Sequence, residues 1–242
     1  MKEMAKYLKR RKHILFMDFE ATQFSHEMIA FGAVRVDLDN KYCIRKVHKG
    51  IKYYVQAKNP IGKYVTNLTG ITEEKLAKEG IPYNVAIKKI KKYCGFYFEK
   101  DMTFAVFGTL DTKIIINSME LTPEVNEEDC KHICRNSIDL CAIISQYVKD
   151  EKNNPLSLVH YLEKFEIPLT GEPHDPLTDA THLMLLYKGV MTRSDILYSE
   201  YLKVLAKQKS LPLPVKDTIS SLLNGEDVSS QDFKKKVKDF IG

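Results

Sequence analysis

The stretch His13-Ile-Leu-Phe-Met-Asp-Phe-Glu-Ala21 constrains the fold more than any other part of the chain. Read as an extended strand, it places Ile14, Phe16, Asp18 and Glu20 on one face and Leu15, Met17, Phe19 and Ala21 on the other. Both faces are apolar until the last residues, as in a strand covered by a layer on each side. The pattern predicts a central strand of an α/β sheet flanked by helices. Two carboxylates at i and i+2 then share one face at the strand's carboxyl end, where open α/β sheets build their sites. They repel each other unless a hard cation lies between them, and Mg²⁺ and Mn²⁺ prefer such oxygen ligands.

Two further stretches carry acids in a comparable setting. Thr103-Phe-Ala-Val-Phe-Gly108 predicts a second buried strand, and Asp111 follows at the start of a helical pattern that runs to Met119. An acid there is also what the helix macrodipole favours in a first turn. In Pro173-His-Asp-Pro-Leu-Thr-Asp-Ala180, Asp175 is placed as an N-cap and Pro176 as the first helical residue. Leu177, Ala180, Leu183, Met184, Leu186 and Tyr187 continue that helix. His174 then lies just outside it and Asp179 one turn inside. A carboxylate on a rigid element suits a metal ligand, whereas a general base must reach a water. Asp175 is accounted for by capping. Asp37, Asp39, Asp101, Asp129 and Glu120 read as turn or surface residues. His13, His26, His48, His132, His160 and His182 have no second ligand at a metal-site spacing.

The order Asp-x-Glu, Asp, His-x4-Asp resembles that of the DEDDh 3′→5′ exonucleases, the superfamily of ribonuclease T and the proofreading exonucleases. The resemblance covers roughly residues 12–190. It implies a ribonuclease H-like mixed sheet flanked by helices, with Asp18, Glu20, Asp111 and Asp179 holding two Mg²⁺ or Mn²⁺ ions and His174 as general base. Asn67-Leu-Thr-Gly-Ile-Thr-Glu-Glu74 is similar to the family's leucine-threonine-glycine-isoleucine segment beside the site. Thr69 and Gly70, with Ala21 and Thr22 of the first motif, are therefore expected to touch the terminal nucleotide. Phe19 or Phe24 is a candidate to stack on bases. Asn136-Ser-Ile-Asp-Leu140 also resembles a recurring family stretch, which sets Asp139 apart from the acids read as turn or surface residues.

Many relatives carry His-Asn before the third acid, where this chain reads Phe107-Gly-Thr-Leu-Asp111. That wording, with Asp18-Phe-Glu-Ala-Thr22, is more similar to the small-RNA- and histone-mRNA-trimming exoribonucleases and their bacterial sporulation-associated relatives. The leading expectation is a 3′→5′ exoribonuclease releasing nucleoside 5′-monophosphates from 3′-hydroxyl ends of single strands. A single-strand DNA exonuclease stays open, because reading the 2′-hydroxyl depends on contacts the motifs do not place. So does a regulatory interaction protein on a retained nuclease fold.

At 242 residues, the chain suits an α/β domain over 1–191 with a helical C-terminal extension over 192–242. Strands are expected near 13–20, 28–37, 43–55, 103–108 and 136–140, the first three as an antiparallel meander. Helices are expected near 72–78, 83–95, 111–119, 140–149, 156–165 and 176–190. The net charge is +5, with basic residues clustered in Lys6–Lys12 and in the tail. Beside a nuclease site such clusters predict polyanion attraction, and the extension is also a candidate docking element for a protein partner. Five cysteines, an odd number without a zinc pattern, fit a reducing compartment. With no signal peptide and no apolar run near the ~20 residues of a membrane span, the expectation is a cytoplasmic protein that does not contact membrane.

Overall fold

The computed structural model describes residues 3–242. A short helix α1 (Met4–Tyr7) precedes the strands β1 (His13–Ala21), β2 (Met28–Leu38), β3 (Ile44–Val47) and β4 (Ile51–Tyr54). Helices α2 (Lys63–Thr69), α3 (Glu73–Glu79) and α4 (Tyr83–Cys94) follow. Next come β5 (Met102–Val106), α5 (Leu110–Glu120), α6 (Glu127–Arg135), β6 (Ser137–Asp139), α7 (Leu140–Ile144), α8 (Leu158–Lys164) and α9 (Pro176–Thr192). The tail folds into α10 (Ser194–Ala206), α11 (Leu213–Leu223) and α12 (Ser230–Ile241). Among the described residues no helix is long and apolar enough to cross a membrane.

The six strands form one mixed sheet in the order β3-β2-β1-β5-β6, with β4 also on β2. β1 runs antiparallel to β2 and parallel to β5, and β5 is parallel to β6. The period-two pattern of β1 decides which core each side chain joins. Ile14 and Phe16 pack with Val34 and Val36 against Leu183, Leu186 and Tyr187 of α9. Leu15, Met17 and Phe19 pack on the other side with Phe31, against Ile87 and Ile90 of α4 and Ile115 of α5. Burial of each such side chain contributes about 1.5–3 kcal/mol, so β1 has layers on both faces as its composition demands.

Several boundaries differ from expectation for identifiable reasons. The single strand expected over 43–55 is broken into β3 and β4 at His48–Gly50, both lying along β2 in the same direction. The break lets His48 turn inward. Asp37 lies between His13 Nδ1 at 2.8 Å and His48 Nε2 at 2.9 Å, so these three residues form a half-buried polar clasp rather than ordinary surface. Helix α6 escaped the sequence reading because only Cys130, Ile133 and Cys134 give it an apolar face; Asn126 caps it, accepting from Asp129 N–H. The helix expected over 140–149 stops at Ile144.

One glycine seats α9 over the sheet. Gly32 pairs with Asp18 on one side and Lys52 on the other. A Cβ at Gly32 would lie 2.2 Å from the carbonyl of Pro176 and from Leu177 N, so the first turn of α9 rests directly on this bare backbone. Gly32→Ala is expected to push that turn off the sheet. The stability cost should be of the overpacking size, about 1–3 kcal/mol. Activity should fall further than that loss explains, because Asp179 rides on the displaced helix. Denaturant unfolding beside kcat/KM checks this, and a fully active Gly32→Ala would remove the seating role.

The tail packs at the far end of α9. From Asp179 to Thr192 the helix advances roughly 20 Å. There Lys164 of α8 meets Glu200 of α10, Tyr147 and Tyr201 lie 5.1 Å apart, and Lys207 Nζ donates to the carbonyls of Asp150 and Glu151. α11 then packs on α10, and α12 on α11.

Candidate active site

The chain brings its acidic motifs together at the carboxyl end of β1. Asp18 and Glu20 point to the α9 side, and the β1–β2 register shifts between Glu20 and Ala21, a bulge at the rim of the site. Because β5 runs parallel to β1, its carboxyl end delivers Gly108 and the first turn of α5 to the same rim, with Asp111 buried there. Asp139 holds this approach: its Oδ1 accepts from Gly108 N–H at 2.8 Å and from Ala142 N–H at 3.2 Å, capping α7. That gives a role to an acid otherwise read as bland.

At α9 the predicted cap is present. Asp175 Oδ1 accepts from Leu177 and Thr178 N–H, each at 3.0 Å, and its other oxygen pairs with Lys52 of β4. Asp179 follows one turn inside the helix. His174 is exposed, with a left-handed backbone at φ +57°, a conformation that costs roughly 1 kcal/mol or more for a residue with a Cβ. Glu20, His174 and Asp179 each offer a ligand atom, and those atoms lie within 4.8 Å of one another. Among the described residues no cysteine joins a group of this kind.

Electrostatics at this point are severe. Burial, then the charges of Asp111, Asp179 and Glu20, push the Asp18 carboxyl well above the usual range. Burial, then Asp179 and Asp111, push Glu20 up to about 8. Burial raises Asp111 to about 7 against backbone amide hydrogen bonds that favour its charged form. Burial also raises Asp179, opposed by His182 and His174. Four carboxylates crowd one spot, and the nearby cation Lys52 is committed to Asp175. This all-oxygen donor set fits a divalent cation, which would relieve the repulsion that burial amplifies.

His182 was missed in the sequence and sits in this network. It is buried, its Nδ1 lies 3.6 Å from Asp179 Oδ1, and its Nε2 accepts from Thr170 N–H at 3.3 Å. The acceptor role of Nε2 leaves the ring proton on Nδ1, facing the carboxylate. The histidine thus links Asp179 to the 169–174 segment that carries His174. Its signal in the sequence was the i, i+3 spacing, which puts both residues on one helix face.

A cleft of about 370 Å³ opens over Asp18, Asp179, His174 and His182, walled by Phe107, Leu158 and Leu169. Beyond the carboxyl end of β1 stand Phe24, 82% exposed, and Tyr64 and Leu68 of α2, 64% and 40% exposed. Gln23 N–H donates to Ile61 O at 2.8 Å, and the buried Glu27 carboxylate accepts from Lys58 and Asn59 N–H, tying α2 to the end of β1. Phe19 belongs to the core, which leaves Phe24 as the stacking candidate. Ala21 is half-buried at the bulge. Thr22 is buried and closes the 22–27 turn, its hydroxyl accepting from Glu27 N–H at 2.9 Å. Thr69 donates to Val65 O at 2.9 Å, and Gly70 ends α2 in the left-handed region.

A mixed sheet that gathers four carboxylates and a histidine at the end of its central strand defines a hydrolytic nuclease with a ribonuclease H-like fold. The model of the RNase_T exonuclease family matches residues 15–187. The chain belongs to that family of exonucleases. Among solved structures it is similar to a full-length 3′-exonuclease, with 17% identity over 80% of this chain and 69% of that one, at a TM-score of 0.61. The nuclease domain of 3′hExo, a DEDDh family member bound to rAMP, aligns with 19% identity over 76% of this chain and 93% of that one, at a TM-score of 0.61. E. coli Exonuclease I with a dT13 oligonucleotide aligns with 16% identity, 80% and 44% coverage, and a TM-score of 0.59. No curated protein matches the sequence.

Proposed function

We propose that this protein is a metal-dependent 3′→5′ exoribonuclease that releases nucleoside 5′-monophosphates from 3′-hydroxyl ends. The observation that carries the reading is the crowding of Asp18, Glu20, Asp111 and Asp179 around one point, with His174 at the mouth of an open cleft. Asp18, Glu20 and Asp179 would hold one Mg²⁺ or Mn²⁺, and Asp18 with Asp111 a second. Bound cations of this kind lower the pKa of a coordinated water and offset charge on the leaving 3′ oxygen. His174 takes the proton of the attacking water at a ring nitrogen, and its exposed position outside α9 gives it room to do so. His182 keeps Asp179 oriented. Phe24, Tyr64 and Leu68 offer surfaces for the terminal bases, with Ala21, Thr22, Thr69 and Gly70 shaping the backbone around the terminal nucleotide. RNA is favoured by the wording of the first two motifs; one similar structure holds rAMP, and another is described as recognising a histone mRNA stem-loop. Residues 1–191 would act as the catalytic unit, and 192–242 as an appendage open to a protein partner. Five free thiols suit the reducing cytoplasm as its place of action.

The test is hydrolysis of 3′-hydroxyl RNA and DNA oligomers of matched sequence with Mg²⁺, Mn²⁺ or EDTA. Stepwise release of 5′-monophosphates from RNA, abolished by EDTA, is expected. Products with a 3′-phosphate, or activity undiminished by EDTA, would overturn the mechanism. Faster shortening of DNA would move the substrate to single-strand DNA.

A further inference from the structure

Positive charge in this chain is segregated in a way that neither terminus explains. Residues 40–72 hold seven Lys and Arg and no Asp or Glu, and residues 80–98 hold four Lys and no acid. These stretches carry 11 of the 37 basic residues and none of the 32 acidic ones, so the rest of the chain is net acidic. Folding sets them side by side. β3 and β4 form the sheet edge beyond β2, and α4 packs on the face of the sheet next to that edge. Tyr93 of α4 donates its hydroxyl to Lys49 O at 2.8 Å, and Lys89 Nζ lies 5.4 Å from the Tyr53 ring centre.

Arg45, Lys46 and Lys49 of the edge and Lys88 and Lys92 of α4 are exposed. Among the described residues none of the five has an ion-pair partner, whereas Lys91 on the same helix is tied to Glu99 and Asp129. Basic side chains along a sheet edge discourage pairing with other chains, which accounts for Arg45, Lys46 and Lys49. It does not account for the two on a helix or for the missing acids.

The upper end of this surface adjoins the cleft. Lys52 pairs through Gly32 with Asp18, two strand spacings or about 10 Å away. The lower end carries Phe96, 72% exposed, with Lys100 Nζ 4.3 Å from its ring centre. Basic side chains interleaved with aromatic rings are the ordinary means of following a single strand. Of the basic clusters expected at the termini, the N-terminal one borders the foot of β3, where Lys6, Lys9 and Arg10 line a hollow with Tyr42. Arg11 is spent on Met102 O and Asn136, and Lys12 on Asp39 O, at the opposite end of β1 from the carboxylates. The tail packs at the far end of α9.

We propose that the β3–β4 edge and the outer face of α4 form a phosphate-binding track for the strand lying 5′ of the bond being cut. The inference rests on the exonuclease reading of the cleft for its direction. A lipid surface fits less well, since Val47 is the one well-exposed aliphatic side chain on these strands, and membrane-surface elements need apolar groups to insert.

Two triple variants of the full chain test it with equal change in net charge. One carries Lys46→Glu, Lys49→Glu and Lys92→Glu; the other carries Lys234→Glu, Lys235→Glu and Lys238→Glu in α12. Binding of fluorescent 20-mer RNA and DNA is measured in EDTA across a salt series, beside vesicles containing phosphatidylserine. Hydrolysis of a dinucleotide is measured separately. The edge variant should weaken 20-mer binding at least tenfold and flatten the log–log salt slope by about 2, from ~0.7 per phosphate contact. Its dinucleotide rate should match wild type, and the α12 variant should bind the 20-mer nearly as wild type does. Gln in place of Glu at the edge positions should give a smaller loss of the same kind, separating lost contacts from repulsion. Unchanged 20-mer binding by the edge variant, equal losses in both triples, or loss of vesicle binding alone would overturn the track. A wild-type protein that binds the 20-mer through this edge yet never shortens it would overturn the enzymatic reading and leave the track standing.

Discussion

Asp18→Asn should abolish hydrolysis and, in EDTA, melt at a higher temperature than the wild-type protein. The two effects have one origin. Asp18 lies at the base of the cleft with Asp111, Asp179 and Glu20 as charged neighbours, and each of them pushes its carboxyl upward. A neutral amide there removes repulsion from a buried cluster and also removes an oxygen ligand. Activity should fall at least ~10³-fold, as when one member of a cooperating catalytic set is lost. The stability gain depends on pH in a defined direction. Glu20 is pushed up from 4.5 to about 8, so between those values the folded metal-free protein holds a proton that the unfolded chain releases. That contribution is fully present below 4.5 and is lost as pH rises through 8; one pKa unit corresponds to about 1.4 kcal/mol. Wild type should therefore lose stability between pH 5 and pH 8 in EDTA. Asp18→Asn, which lacks the other strongly raised carboxyl, should lose less. A divalent cation replaces the proton, so its stabilising effect should be larger at pH 8 than at pH 5. Calorimetry at both pH values, with and without Mn²⁺, checks each point. Wild-type rates in Asp18→Asn would sink the ligand assignment.

His174→Ala should cost roughly 10²–10⁴-fold in kcat while Mn²⁺ affinity and binding of a non-hydrolysable RNA stay near wild type. His174 is exposed and outside the rigid helix, whereas the carboxylates are held by β1, α5 and α9. Removing it therefore takes away a proton acceptor without loosening the cluster. Because the position opens to solvent, added imidazole should restore part of the rate. Asp175→Asn is the informative companion. It weakens a helix cap and an ion pair with Lys52, which predicts a stability loss on the order of 1 kcal/mol and a modest change in rate. If Asp175→Asn proves far more damaging than His174→Ala and imidazole restores nothing, the base has been misassigned.

What the sequence alone determined are the features whose cause is local. The face shared by Asp18 and Glu20 follows from the period of a strand. The cap at Asp175 and the turn between it and Asp179 follow from helix geometry, and the layers over β1 follow from its two apolar faces. These relations involve residues within a few positions of each other, so side-chain periodicity and hydrogen-bonding habit suffice to read them. Only the tertiary structure decided the rest. That Gly32 must be bare depends on Pro176 and Leu177, which arrive from more than 140 residues away. His182 becomes Asp179's partner because the 169–174 segment folds back to give Thr170 N–H to its other nitrogen. The basic surface is spread over residues 45–92 in the chain and becomes one patch when α4 packs beside the sheet edge. In each case the partner is set by how sheet and helices pack, and packing brings together residues whose separation in sequence carries no period to read.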